Sequence, residues 1–285
     1  MRIPRLIALD LDGTMLDDDR RVTPRTKAAI RAAQECGIRV AVASGRMYSS
    51  AMVSIREAGI ESVCAFFNGA LICDPLTGKT VFEKPVEPEL TAEILKFFRK
   101  NNWYVQIYKG DELIVEKRDD ERCRYYEKYF SGKSASEMGE NFWDSEIASS
   151  KLLAIEFDET EFLRMRSETE RAFGDKVYIT TSCSSFLEMV DCDVNKAKAL
   201  EFLCKYYGIA REDAMAFGDG GNDMKMLQWA GTGVAMGNAR DSIKAAADIT
   251  ALPNTEDGAA RIIEEVVAAA HGDWDSAAWS PHSAR

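Results

Sequence analysis

The sequence predicts an α/β fold in which a doubly wound parallel sheet is interrupted by an inserted α+β domain. Short apolar runs typical of buried strands alternate with helical segments near the N-terminus, and this alternation resumes in the last third of the chain. In between, apolar and polar side chains alternate, as in half-exposed antiparallel sheets. We therefore predict a discontinuous, Rossmann-like core of residues 1–82 and 190–272, an insert of residues 83–189, and a disordered tail of residues 273–285.

Strands and helices alternate in the first segment of the core. A continuous apolar run between Pro4 and an Asp-Gly pair predicts a buried strand. Thr23 as N-cap and Pro24 in the first turn predict a helix that Gly37 ends. The same reasoning predicts strands at 6–9, 38–43 and 63–67, and a second helix at 47–58.

The insert and the second core segment follow different patterns. The insert is predicted to hold strands and helices around a polar loop at 131–150. The helix that begins at Lys196 and ends at Gly208 marks the return of the βα alternation. The predicted strands of the insert are 103–108, 112–117, 151–158 and 176–181, and its helices are 88–100 and 159–173. The later core elements are helices 196–207, 224–229, 243–247 and 257–270, and strands 214–217 and 233–236.

The composition argues against several classes of function. The 285 residues carry a formal net charge of −11, which disfavours binding to nucleic acid. Seven cysteines without a C-x-x-C pair predict reduced thiols in a cytoplasmic protein. The two histidines, His271 and His282, lie near the C-terminus, so a histidine-based site is not expected. No apolar run approaches the ~18 residues of a membrane span, and the N-terminus is not predicted to be a signal peptide. Neither a membrane nor an obligate protein partner is expected.

Two carboxylates follow the first predicted strand, in the segment Asp10-Leu11-Asp12-Gly13-Thr14. Both side chains can turn toward the crevice where parallel α/β sheets bind ligands. One carboxylate could attack phosphorus while the other transfers a proton. An ordinary strand followed by an Asp-Gly turn would look the same, so the segment needs support from other motifs.

Groups suited to an anion occur at two further points. Ser44, Gly45 and Arg46 combine a hydroxyl, a free backbone N–H and a helix N-terminus, which together bind phosphate well. Lys196 could neutralise a phosphate and the carboxylates around it. A plain serine cap and a solvated lysine are the alternatives when each group is taken alone.

An acidic loop, GDGGND, follows the strand predicted at 214–217. Its Asp219, Asn222 and Asp223 offer oxygen ligands of the kind that Mg²⁺ prefers, although a simple Gly/Asn/Asp turn has the same composition. If this loop meets the first two aspartates in one crevice, two carboxylates ~4 Å apart repel by about 4 kcal/mol at an effective dielectric of about 20. Such a cluster requires cations, and Mg²⁺ together with Lys196 would supply them.

The four clusters, in this order, resemble the motifs of the haloacid dehalogenase superfamily of phosphohydrolases. They are IALDLDGTML, VASGR, VNKAKAL and GDGGNDMKML, and the phrases NGA, GNA and EDG are also similar to the family. The resemblance covers about residues 5–270 and is strongest to the Cof-type branch, in which a cap domain is inserted between the second and third motifs. Ala197 replaces a frequent glycine and Gly221 a frequent acidic residue, and neither change removes a reactive group.

The resemblance implies a Mg²⁺-dependent phosphatase with a role for each motif residue. Asp10 would be the nucleophile and a magnesium ligand, and Asp12 the general acid/base with its backbone carbonyl on the metal. Lys196 would contact the phosphate and Asp10. The other implied residues are Ser44, Gly45, Arg46 and Asn222 for the phosphate or substrate, and Asp219 and Asp223 for the metal site.

Two other functions stay open on the sequence alone. A phosphomutase would return the phosphate to a sugar, but the Ser-Gly-Arg form of the second motif is more similar to phosphatases. A non-catalytic binding protein would be expected to lack Asp10 or Asp12, and both are present. The expected substrate is a small phosphorylated metabolite, such as a sugar phosphate, pyridoxal phosphate or flavin mononucleotide. Trp103, Tyr104 and Tyr108 of the insert are predicted to belong to the core and surface of its sheet rather than to a substrate lid.

Overall fold

The first core segment contains both of the predicted early helices and the strands beside them. The structure is a computed structural model that describes residues 2–270. The Thr23 hydroxyl accepts a hydrogen bond from the backbone N–H of Thr26 and so caps the first helix, as predicted. The elements are β1 (Leu6–Leu9), α1 (Pro24–Glu35), β2 (Arg39–Val42), α2 (Tyr48–Ala58), β3 (Cys64–Phe66), β4 (Leu71–Cys73) and β5 (Thr80–Glu83).

The insert forms a cap domain around a second sheet, with strand order β10-β11-β9-β6-β7-β8. Its elements are α3 (Pro88–Lys100), β6 (Val105–Lys109), β7 (Glu112–Val115), α4 (Glu121–Tyr126), β8 (Ser136–Glu137), β9 (Leu152–Ile155), α5 (Glu159–Phe173), β10 (Val177–Cys183) and β11 (Phe186–Asp191). Apolar side chains of α3 and α5 pack on one face of this sheet. The opposite face contributes Tyr108 and Phe186 to the apolar cluster that continues into the core domain. The cap therefore lies directly against the core.

The chain then returns to the core and completes its parallel sheet. The elements are α6 (Lys196–Tyr207), β12 (Ala214–Gly218), α7 (Met224–Trp229), β13 (Thr232–Ala235), α8 (Asp241–Lys244), β14 (Ile249–Thr250) and α9 (Gly258–Ala270). The strand order is β14-β13-β12-β1-β2, and all neighbours are parallel. The strands that follow β1 in the chain lie on both sides of it, with β2 on one side and β12 on the other, so β1 is at a switch point of the topology. Ligands bind at the carboxyl ends of the strands at such a point. The predicted α/β class, with a parallel core sheet and an added sheet domain, is confirmed.

The third predicted strand does not extend the parallel sheet. β3 meets β2 through an isolated parallel bridge between Ala43 and Ala65, and then pairs antiparallel with β4, which pairs with β5. Phe67 and Asn68 have φ angles of 50° and 58°, and this tight turn reverses the chain. The strand predicted at 63–67 is present, but the prediction placed it in the parallel sheet and missed the reversal that follows it, although Asn68-Gly69 is a common turn pair.

The segment predicted as a loop at 131–150 contains β8 and a 3₁₀ helix, Gly139–Asp144. Phe142 and Trp143 of that helix pack in the hydrophobic core of the cap. Two apolar side chains among many polar ones are too few to define a period, which explains the wrong prediction. The prediction also lacked β4, β5, β11, β14 and α4.

The aromatic residues Trp103, Tyr104 and Tyr108 are all buried in the cap, so they belong to its core and none of the three lies on the surface. Within residues 2–270, the helices are too short or too polar to cross a membrane. The predicted disordered tail, 273–285, lies outside the described residues.

Candidate active site

Asp10 lies at the carboxyl end of β1, between the ends of β2 and β12. The chain turns sharply after it, and Gly13 in this turn has a φ angle of 73°. A β-carbon at Gly13 would collide with the carboxylate of Asp219, so glycine is needed both for the turn and for the close approach. The turn therefore brings the first and fourth sequence clusters into contact.

Lys196, the first residue of α6, is buried between two carboxylates. Its Nζ donates hydrogen bonds to Oδ1 of Asp10 at 2.6 Å and to Oδ1 of Asp223 at 2.5 Å. Burial alone would lower the pKa of this lysine, but the charges of Asp10 and Asp223 outweigh burial and hold its pKa above the usual value. Lys196 is thus a fixed positive charge that joins the third cluster to the first and the fourth.

Three carboxylates converge around this lysine. Oxygens of Asp10, Asp219 and Asp223 lie within 4.8 Å of one another. Burial raises the pKa of Asp10 well above its usual value, and Lys196 offsets only part of this shift. Burial and the charge of Asp223 raise the pKa of Asp219 to about 7. Burial and the repulsion among the carboxylates together exceed what one lysine compensates, and a hard dication with oxygen ligands fits the cluster.

Neighbouring polar groups hold these carboxylates in place. The Thr14 hydroxyl donates to Oδ1 of Asp219 at 3.0 Å, and Nδ2 of Asn238 donates to the Gly13 carbonyl oxygen at 2.9 Å. Oδ2 of Asp223 accepts the backbone N–H groups of Asp219 and of the next glycine, at 3.0 and 2.9 Å. Asp223 therefore both neutralises Lys196 and fixes the shape of the acidic loop.

The second cluster follows β2, and its Arg46 contacts the predicted acid/base residue. The Ser44 hydroxyl accepts the backbone N–H of Arg46 at 3.1 Å. The Arg46 guanidinium makes a bidentate ion pair with the carboxylate of Asp12, with Nε 2.7 Å from Oδ2. The structure thus places the Asp12 side chain against Arg46, while the Asp10 side chain contacts Lys196.

The sequence prediction missed a buried polar chain between cap and core. Nζ of Lys151 donates to the carbonyl oxygen of Gly45 at 2.7 Å and lies 3.7 Å from the carboxylate of Glu188. These two charged side chains are only 2% and 3% exposed. Glu188 also accepts hydrogen bonds from Ser182, at 2.6 Å, and from Nδ2 of Asn68.

The same chain reaches the fourth cluster, because Oδ1 of Asn68 accepts Nδ2 of Asn222 at 3.0 Å. The predicted phosphate-binding Asn222 is therefore connected through Asn68 to the cap residue Glu188. One signal for this chain was present in the sequence, since Glu188 interrupts the apolar run of β11. A carboxylate in such a run is rarely buried without a partner.

A parallel-sheet core with a carboxylate crevice beneath an inserted cap defines a class of hydrolases. The family described as haloacid dehalogenase-like hydrolase matches residues 7–263, and the chain belongs to this family. The phosphatase YwpJ of Bacillus subtilis is 30% identical over an alignment of 285 positions, which spans 92% of this chain and 100% of that protein.

Two further relatives span nearly the whole chain. The 5-amino-6-(5-phospho-D-ribitylamino)uracil phosphatase YitU of Bacillus subtilis is 29% identical and covers 92% of this chain and 97% of its own length. A solved haloacid dehalogenase-like hydrolase from Bacteroides thetaiotaomicron has a TM-score of 0.80 at 30% identity, over 92% of this chain and 98% of that one. The predicted family and the predicted enzyme class, a hydrolase of phosphate monoesters, are confirmed.

Proposed function

We propose that this enzyme is a magnesium-dependent phosphatase that hydrolyses a small phosphorylated metabolite through a phospho-aspartate on Asp10. The observation that supports the proposal most is the environment of Asp10, with Lys196 at 2.6 Å and two further carboxylates within 4.8 Å. This set offers a nucleophile, a fixed positive charge and a set of oxygen ligands at one strand end.

The reaction has two steps that the chain's own residues perform. A carboxylate oxygen of Asp10 attacks phosphorus, the bond to the leaving oxygen breaks, and Asp12 gives that oxygen a proton. Asp12 then takes a proton from the water that attacks the phospho-aspartate, and Asp10 leaves as a carboxylate. Lys196 and the backbone N–H groups near Ser44 stabilise the charge on the phosphoryl oxygens.

The proposed metal ligands are the side chains of Asp10, Asp219 and Asp223 and the backbone carbonyl of Asp12. When bound, Mg²⁺ supplies positive charge between the attacking carboxylate and the phosphate. The raised pKa values of Asp10 and Asp219 support this assignment, because they reflect burial and mutual repulsion that a dication would relieve.

The named substrate of the relative YitU, a phosphorylated ribitylaminouracil, supports a small phosphorylated metabolite as the substrate class. The cap would shield the reaction from bulk water, since Lys151 and Glu188 pack against the loop of residues 44–46, the proposed phosphate loop. We also propose a cytoplasmic location, which the seven free cysteines of the described residues support.

Release of inorganic phosphate from a panel of phosphorylated metabolites, without a bisphosphate activator, tests the proposal. Turnover should be lost in Asp10→Asn, because an amide cannot attack phosphorus, and retained in Asp213→Asn, a change at a surface ion pair with Arg2. Transfer of phosphate to a sugar in place of release would support a mutase instead. Full turnover in a folded Asp10→Asn protein would exclude the phospho-aspartate.

A further inference from the structure

The cap side of the active-site cavity is lined by aromatic rings. The cavity measures about 100 Å³, opens to solvent, and has Asp10 and Asp12 among its core residues. Tyr126, Phe130 and Phe186 face the cavity from the cap. Because the cavity opens to solvent, a leaving group with a single ring does not have to fit wholly within it and can lie along these side chains.

The three rings form one continuous wall. Tyr126 and Phe130, one helical turn apart, are nearly parallel, with an angle of 14° and centroids 5.6 Å apart. Phe186 of β11 meets Phe130 edge to face at 4.9 Å and contacts Tyr126 at 5.9 Å. From the core, the guanidinium of Arg20 lies 4.0 Å from the centre of the Phe130 ring. The wall is therefore held in place from both domains.

The polar groups on the same side are already engaged. Lys151 donates to the Gly45 carbonyl oxygen, and Glu188 accepts from Asn68 and Ser182. Among the described cap residues lining the cavity, the remaining polar groups are the Tyr126 hydroxyl, which lies beside that of Tyr108, the acceptor side of the Ser182 hydroxyl and the weakly polar thiol of Cys183. A sugar, which carries a hydroxyl on most carbons, would leave many of those hydroxyls without partners against such a surface.

We propose that the cap selects a phosphate monoester whose leaving group carries one flat aromatic or heteroaromatic ring. This inference rests on the proposed phosphatase function and names its substrate class. Flat rings pack against Tyr126, Phe130 and Phe186 in offset or edge-to-face geometry, whereas a puckered ring of equal size does not. Binding energy gained at this wall, away from phosphorus, lowers the barrier at the reacting centre.

Two substrates of nearly equal size test the proposal. Benzyl phosphate and cyclohexylmethyl phosphate both release a primary alcohol, so the chemical step is similar and ring shape is the main difference. We expect kcat/KM to be at least about tenfold higher for benzyl phosphate, since each aromatic contact raises kcat/KM by a factor of about 2 to 12. Glucose 6-phosphate, the polar comparison, should be hydrolysed less efficiently than benzyl phosphate.

Matched variants assign the preference to the wall. Phe130→Leu, at a partly buried position, should lower kcat/KM for benzyl phosphate about 2- to 12-fold and change that for cyclohexylmethyl phosphate less than twofold. Phe157→Leu removes an exposed cap aromatic that does not line the cavity, and it should leave both values unchanged. Equal losses on both substrates in Phe130→Leu, or a preference for glucose 6-phosphate in the wild type, would overturn the proposal.

A binding measurement separates this proposal from the phosphatase assignment. Calorimetry in the presence of Mg²⁺ compares benzylphosphonate with cyclohexylmethylphosphonate, which cannot be hydrolysed. Tighter binding of benzylphosphonate, reduced in Phe130→Leu, supports the aromatic wall even if no monoester is turned over, and in that case only the phosphatase proposal fails. Equal dissociation constants for the two phosphonates would overturn the aromatic preference.

Discussion

The ammonium group of Lys151, in the cap, donates a hydrogen bond of 2.7 Å to the backbone carbonyl oxygen of Gly45, in the loop that follows β2 of the core. The two residues are 106 positions apart in the sequence. Glu188 also approaches this loop, and a β-carbon at position 45 would be 3.1 Å from its Oε2. The position of the loop is therefore linked to the position of the cap.

Lys151→Met should destabilise the protein by about 3–5 kcal/mol, because it leaves Glu188 buried without its cation. Urea denaturation measures the change in the free energy of unfolding. Lys176→Met is the matched control, since Lys176 pairs with Glu93 on the exposed surface of the cap and should contribute about 0–1 kcal/mol. A loss below about 1 kcal/mol in Lys151→Met would mean that the pair is not needed for stability.

Mg²⁺ should raise the melting temperature, because the ion binds the folded cluster of Asp10, Asp219 and Asp223 and relieves its repulsion. At a concentration 100 times the dissociation constant the stabilisation is about 2.7 kcal/mol. Differential scanning fluorimetry with and without chelator measures the shift. Asp219→Asn should remove most of it, and Asp213→Asn, a surface change, should keep it. An equal shift in both variants would place the ion elsewhere.

Gly13→Ala should greatly reduce activity, for two reasons. Alanine at a φ angle of 73° destabilises the folded state by about 1–2 kcal/mol, and its methyl group would also collide with the carboxylate of Asp219. Gly37→Ala is the control, because Gly37 has a φ angle of 84° but open space around it. We expect kcat to fall about 100-fold or more in Gly13→Ala and to stay normal in Gly37→Ala, as 1 Å displacements at a site have effects of that size. Similar activities of the two variants would show that the close approach is not required.

Acid should weaken one contact of the cap. Hydrogen bonds from Arg164 and Trp103 lower the pKa of Glu161 from 4.5 to about 2. A carboxylate whose pKa is lowered by folding stabilises the folded state at pH values above its unfolded pKa. That contribution is lost as the pH falls from 4.5 to about 2. Because the pair is partly exposed, we expect less than about 1 kcal/mol.

The pH dependence of unfolding in Glu161→Gln tests this contact. The difference in stability from the wild type should shrink across the same acid range. Glu170→Gln, which changes a helical pair with Arg166, should leave the acid dependence close to that of the wild type. A difference that stays constant from neutral to acid pH would contradict the assigned shift.

Local patterns were sufficient to predict most of the core. The apolar run of β1, the capping residues Thr23 and Pro24 and the glycine-rich acidic loop each fix structure within a few residues, so periodicity and turn chemistry reveal them. Motif order then predicted which residues meet, and Asp10, Lys196 and Asp223 lie in hydrogen-bond contact.

Features set by long-range contacts were not predictable in this way. The reversal after β3 holds Phe67 in a left-handed conformation, which is uncommon for an aromatic residue and which no local pattern predicts. The pairing of Lys151 with Glu188 joins neighbouring strands of the cap sheet and has no local signature beyond an interrupted apolar run. The contact of Arg46 with Asp12 depends on the side-chain direction after the turn.

The position of β1 has a consequence for synthesis of the chain. β1 pairs with β2 on one side and with β12 on the other, and β12 begins only at residue 214. The ribosome therefore makes the whole cap while one edge of β1 is unpaired, and an unpaired apolar edge is a template for aggregation. Chains that stop before β12 should be insoluble or bound to chaperones, and the completed chain should fold only after the second core segment emerges.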